Sequence, residues 1–183
     1  MKSSLCCLNT VPSLAAALAL AVLPARADTT ETAGTAVAIA LPLVAAGIAG
    51  GKSDWNGMVD LGLTTLATVG SAYALKHLIK EKRPDGSDFQ SFPSDTTALA
   101  ASGSSFLWAR YGWQYGLPAT VATGFVAWSR VDARQHHWYD TAASEALSIG
   151  FAWFFTPRFS KYAIYSSLDP APGGAVLRFS YAY

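Results

Sequence analysis

The sequence predicts an all-α fold, an antiparallel bundle of about five helices followed by a short C-terminal β-hairpin. Three observations carry that expectation. Apolar segments of helix length recur from residue 35 to residue 155, separated by proline, glycine and charged residues. These segments are apolar all round rather than striped, the pattern of helices buried in protein or in lipid. Only the tail changes period, from helical to alternating.

Hydrophobic residues make up 51% of the 183 and charged residues 14%, with a mean hydropathy of +0.25. That is more apolar than an ordinary soluble domain and makes a membrane an expected environment. A formal net charge of +1, without a Lys/Arg-rich arm or stripe, excludes a nucleic-acid binder. Lys2, an apolar run over residues 11–23, Pro24 and the triplet Ala25-Arg26-Ala27 have the layout of a secretory signal peptide cleaved after Ala27. An uncleaved first membrane helix is the alternative. Cys6 and Cys7 both lie in this segment, so the cleaved chain has no disulfide. The expected plan is a signal peptide over residues 1–27, a helical domain over 28–160 and the hairpin tail over 161–183.

The first helix is expected over residues 35–50, kinked at Pro42. Gly50 to Asp54 form a turn in which Ser53 or Asp54 caps the second helix. That helix runs over residues 55–82, turning basic at its end, where lysines suit the helix dipole, and Pro84-Asp85-Gly86 stop it. A polar, exposed loop over residues 85–92 leads to a third helix over 94–110, whose start holds four capable caps, Ser94, Asp95, Thr96 and Thr97. The fourth helix is expected over residues 115–128 and the fifth over 139–155, ended by Thr156-Pro157. In the tail, residues 161–168 and 175–183 alternate about DPAPGG, a hairpin pattern.

Chemistry concentrates in three places. Lys76 and Arg83, seven apart on the second helix, face the same way and can close on one anion. Pro93-Ser94 opens the third helix, where a hydroxyl and free backbone N–H groups make a phosphate seat. In residues 129–140, SRVDARQHHWYD, Arg130 offers a planar fork for an anion, and His136 and Asp140 stand four apart. On a helix that spacing lets the carboxylate hold one imidazole nitrogen and leaves the other free. His77 is expected to face solvent and His137 to be a neighbour of the chemistry. Asp60 and Glu145, inside apolar segments, would be costly in lipid and point either to a bundle interior or to a soluble domain. The tryptophans at 108, 113, 128, 138 and 153 read as interfacial anchors or core.

The pattern Lys76-x6-Arg83-Pro84, then Pro93-Ser94, then Ser129-Arg130-x5-His136-x3-Asp140 resembles the type 2 phosphatidic acid phosphatase superfamily. That superfamily includes bacterial lipid phosphatases, class A nonspecific acid phosphatases and the vanadium haloperoxidases. The resemblance spans residues 55–155, and the first and third motifs match in residue type and spacing. It implies a phosphatase that needs neither metal nor cofactor and works through a phosphohistidine. His136 is then the nucleophile and Asp140 orients it, while Lys76, Arg83, Arg130 and Ser94 hold the phosphoryl oxygens.

The second motif departs from the family pattern. The usual run is Pro-Ser-Gly-His, whose histidine protonates the leaving alcohol; here it is Pro93-Ser94-Asp95-Thr96. Asp95 is the substitute acid the sequence offers, although a helix start and nearby cations favour its ionised form. The substrate implied is a lipid phosphate or an isoprenoid pyrophosphate. The alternative is an inactive phosphate- or lipid-binding protein of the same fold. The location implied is the inner membrane of a bacterial envelope with the site facing the periplasm, a soluble periplasmic domain being the alternative. Lys52 and Arg110 fall in inner turns under that topology.

Overall fold

The computed structural model describes the backbone of residues 27–159, 163–171 and 174–182, with side chains between 29 and 159. Five helices follow one another: α1 (Ala27–Gly51), α2 (Trp55–Leu78), α3 (Asp95–Tyr111), α4 (Trp113–Asp132) and α5 (Trp138–Phe155). The all-helical bundle expected from the sequence is present. The signal peptide expected at the N-terminus lies almost wholly outside the described residues.

The hairpin expected in the tail is not supported as part of this architecture. The backbone of β1 (Ala163–Ala171) and β2 (Gly174–Ala182) runs as an antiparallel pair, but an isolated two-stranded hairpin is marginal in water. Other boundaries also shift. α2 stops at Leu78 with Ile79 extended, so Lys80, Lys82 and Arg83 are not helical. α4 runs on through Arg130 to Asp132, and Gly112, at φ 84°, is the whole link between α3 and α4. Pro42 lies inside a single continuous α1.

α3 is the hub and packs against the other four helices. Its middle, Ala98 to Ser105, is made of small residues apart from Leu99, and backbones can approach closely there. A Cβ on Gly103 would stand 2.8 Å from the backbone at Leu41 and Pro42, so the α1–α3 crossing requires glycine. α1 meets α4 in the same way at Gly34, where a Cβ would collide with the Ser129 hydroxyl.

The bundle buries many small polar side chains beside its hydrophobic core of Leu41, Leu61, Phe106, Leu107 and Val126, and exposes large apolar ones. Thr64, Thr68, Ser102, Thr123, Ser144 and Ser148 are fully buried, while Leu66 is 73% and Trp153 87% exposed. Thr29–Gly51 and Trp55–Leu78 are each long and apolar enough to cross a membrane; at 1.5 Å per residue α2 is about 36 Å long against a hydrocarbon core of about 30 Å. Exposed Trp128 and Trp138 ring one end of the bundle and Trp55, Trp113 and Trp153 the other, as the two interfaces favour. These are the features of a membrane protein, and they favour the membrane bundle over a soluble domain.

A buried charge network ties the end of the bundle remote from the histidines. Asp54 caps α2 through Gly57 N and takes a two-pronged ion pair from Arg110, at 2.8 and 2.6 Å, plus the Tyr111 hydroxyl at 2.8 Å. Hydrogen bonding to Arg110 holds the Asp54 carboxyl down at about 2. Asp60 lies 3.4 Å from the same guanidinium, which offsets part of the cost of an acid in an apolar helix, although its Oδ2 makes no hydrogen bond among the described residues. Arg110 is thus a buried partner, not a free charge at a membrane face, and lends no weight to the topology inferred from inner-turn cations. Because removing one member of a buried pair strands the other, Arg110→Ala is expected to cost about 3–5 kcal/mol. Thermal unfolding in detergent measures it.

Candidate active site

The chain ends of three helices meet opposite that network: the C-terminus of α2 and the N-termini of α3 and α5. Ser94 caps α3, accepting from Thr97 N at 3.3 Å and Thr97 Oγ1 at 3.0 Å. Its backbone N donates to Asp140 O at 3.4 Å, and Ser144 Oγ donates to Ser94 O at 2.8 Å. Two positive helix ends are thereby stitched side by side, an arrangement suited to an anion.

His136 lies two residues before α5, not on it, and is 3% exposed. Its Nδ1 is 2.7 Å from the carbonyl oxygen of Ser91. A carbonyl only accepts, so Nδ1 carries the proton and Nε2 keeps a free lone pair. Burial, then the charge of Arg83, and more weakly that of Lys76, push His136 down to about 4 against the pull of Ser91 and Asp140. At neutral pH the ring is therefore uncharged and its free nitrogen nucleophilic.

Asp140 is not the group that holds His136. Its Oδ2 is 3.7 Å from His136 Nδ1, beyond hydrogen-bond range. The carboxylate instead accepts from Ser91 Oγ and from His137 N at 2.8 Å, with His137 Nδ1 at 3.3 Å. The expected direct contact fails because His136 stands outside the helix, where the i,i+4 rule does not apply. Asp140 acts at one remove, fixing Ser91 and the start of α5. Ser91, fully buried, was concealed in the loop expected to be exposed; Phe92 and Pro93 immediately after it are the signal that the loop's end turns inward.

The cations are placed unequally. Lys76 is 6% exposed and its Nζ bonds Asp95 Oδ2 at 2.5 Å. Arg83 is not two turns along a helix from Lys76 but in the following loop, where Nε bonds Asp88 at 2.8 Å and Nη1 approaches Gln135 O at 3.5 Å. Both still bear on His136. Arg130 is turned toward α1: Nη2 bonds the Glu31 carbonyl, Nη1 lies 3.7 Å from the Glu31 carboxylate and 3.5 Å from Gln135 Oε1. Neither Glu31 nor Gln135 was singled out by the sequence pattern.

Asp95, the expected substitute acid, is an acceptor in its pair with Lys76, and its Oδ1 is buried without a hydrogen-bond partner among the described residues. Its Oδ2 is therefore engaged with Lys76 and not turned toward a leaving group. His77 bonds back to Tyr73 O at 2.8 Å and is exposed, as expected. His137 is closer to the chemistry than expected: it reaches Asp140, lies 3.5 Å from Ser91 Oγ and stacks on Tyr139.

The chain is similar to a lipid A 4'-phosphatase. That protein, from Helicobacter pylori (strain J99 / ATCC 700824), is 29% identical over 130 residues, 65% of this chain and 66% of its own length. The chain thus spans just under two thirds of this relative. No protein-family model matches the sequence, and no solved structure matches it. The likeness supports the superfamily resemblance carried by the motifs.

The protonation of His136 has a consequence for stability. An unfolded histidine titrates near 6.5, so between pH 6.5 and 4 the unfolded chain binds more protons than the folded one and stability falls as the pH falls. The loss is expected to reach roughly 3 kcal/mol at pH 4. Asp54 contributes only below that window, since its pair is lost as pH falls from 3.8 toward 2. Melting in detergent from pH 7 to pH 4 should show the slope, and His136→Gln should flatten it.

Proposed function

We propose that this protein is an envelope phosphatase that hydrolyses a lipid phosphate or pyrophosphate through a phosphohistidine. The observation that carries the reading is the buried, neutral His136, its Nδ1–H donated to Ser91 O and its Nε2 free, beside two cations and two helix N-termini. Nε2 attacks phosphorus as the bond to the leaving oxygen breaks, and the departing oxygen takes a proton from water or a nearby group. Water then attacks the phosphohistidine, releases inorganic phosphate and restores the imidazole. Lys76, Arg83, Ser94 and the N–H groups at the start of α3 neutralise the phosphoryl oxygens. Arg130 joins them only after leaving Glu31. The site faces the periplasm, across the inner membrane.

Assay of the detergent-purified protein tests this, with phosphatidic acid, undecaprenyl pyrophosphate, phosphorylated lipid A and a chromogenic phosphate ester as substrates. Phosphate release from at least one lipid is expected; silence on all four would sink the catalytic reading. A second reading, phosphate-lipid binding without turnover, is favoured by one specific pair of facts: threonine stands at 96, and the neighbouring Asp95 is tied to Lys76. Under it, vanadate binds but no substrate turns over.

A further inference from the structure

Each of the three cations of the site has a carboxylate partner, but the three pairs are not alike. Lys76 pairs with Asp95 and Arg83 with Asp88, and both charges still bear on His136. Arg130 is drawn the other way, into α1. Its Nη2 takes the Glu31 carbonyl oxygen and its Nη1 lies 3.7 Å from the Glu31 carboxylate. Gln135, which precedes His136, closes a ring: its Nε2 donates to Glu31 Oε1 at 2.5 Å and its Oε1 accepts from Arg130 Nη1 at 3.5 Å. A Cβ on Gly34 would stand 3.2 Å from Arg130 Nη2, so the first turns of α1 lie directly against the guanidinium. A guanidinium only 3% exposed needs a counter-ion, because a buried unpaired charge is costly. Glu31 supplies one from α1, and a phosphoryl group at His136 would supply another.

We propose that Glu31 is a positioning residue that withholds Arg130 from the phosphate seat, so that anion binding must exchange the α1 contact for a phosphoryl one. The proposal rests on the phosphatase reading for the location of that seat, and names the side chain that sets how tightly the seat binds. Apparent affinity falls with the fraction of molecules in the competent state, so an arginine free in about one molecule in ten weakens Kd about tenfold. The Nη1 arm moves first, since its contacts, at 3.5 and 3.7 Å, are the longest of the set. The exchange also links the two places: when Arg130 turns to phosphate, the first turns of α1 lose their tie to α4.

The test uses the full chain in detergent with vanadate as the probe, which requires no turnover. Glu31→Gln removes the charge but keeps a carbonyl that Gln135 can bond, and is expected to bind vanadate about three- to tenfold more tightly. Glu31→Asp keeps the charge, and Asp132→Asn removes an exposed one two residues from Arg130; both should stay near the original Kd. Equal tightening by Asp132→Asn would mean a general loss of negative charge and overturns the proposal. In turnover, Glu31→Gln is expected to lower KM by the same factor without raising kcat, whereas a purely structural role would lower kcat and leave KM unimproved. Unchanged or weaker vanadate binding by Glu31→Gln, with phosphate release intact, overturns the proposal while the phosphatase stands. Tighter vanadate binding in a protein that hydrolyses nothing removes the phosphatase and keeps the role of Glu31. In the unaltered protein, hydrogen exchange over residues 30–36 should quicken when vanadate binds; no change there overturns the proposal without any variant.

Discussion

His136→Ala is expected to lower kcat by on the order of 10⁵–10⁶-fold, the scale set when other covalent catalysts lose their nucleophile. That is about 7–8 kcal/mol of activation free energy, and the buried pocket offers no substitute: His77 is turned back onto Tyr73 O, and His137 Nδ1 is turned toward Asp140 and Ser91. Asp140→Asn should separate this site from a triad in which a carboxylate holds the imidazole directly, where the same change costs about 10⁴-fold through the wrong tautomer. Here the carbonyl of Ser91 sets the tautomer, so Asp140→Asn is expected to cost only roughly 10²-fold. What remains is the lost charge at the start of α5 and the slackened hold on Ser91 Oγ. Single-turnover phosphate release measures both variants; turnover surviving His136→Ala would exclude the phosphohistidine route, and a 10⁴-fold loss for Asp140→Asn would show the carboxylate swinging onto Nδ1 in the reacting complex.

The helices were legible because their ends are written in strong local chemistry: Asp54 and Ser94 as caps, Thr156-Pro157 as a stop. The errors arise from judging local preference without tertiary context. Extending α2 through Lys82 discounted the bias of Arg83, before Pro84, away from helix. Starting α1 at residue 35 discounted a polar stretch whose acids suit a helix N-terminus and whose Glu31 is held by Arg130 from α4. At the site, the residue types were readable and their pairings were not. His136 and Asp140 are near each other as their spacing suggested, but the decisive bond joins His136 to a carbonyl 45 positions away. Likewise Arg130 has the right place in the motif, yet its guanidinium answers to Glu31, 99 positions earlier. One sequence carries no record of such long-range choices.

Thr96→His is expected to raise kcat on a phosphomonoester with an alkoxide leaving group by about 10²–10⁴-fold, the usual contribution of a positioned general acid. Thr96 sits half-buried in the first turn of α3, two residues past the Ser94 cap and beside the Lys76–Asp95 pair. A side chain there is close to the phosphate seat, and a histidine would find a helix N-terminus and cations around it. Those positive charges favour a neutral imidazole, so the gain should be largest at acidic pH, where the new ring carries its proton, and should shrink as pH rises. His136, held down to about 4, stays an unprotonated nucleophile over most of that range, so acid and nucleophile can coexist in their required forms. A pyrophosphate substrate should gain far less, because a phosphate leaving group needs less protonation. Vanadate affinity should stay near its original value, since the anion seat is untouched. Measuring kcat against pH for an alkyl phosphate and a pyrophosphate, side by side in both proteins, separates these cases. Equal gains on both substrates would mean that position 96 acts on phosphate binding rather than on the leaving group. No gain on either would mean that the original chain already supplies its proton from elsewhere or has no turnover to improve, and phosphate release by the unaltered protein decides between those two.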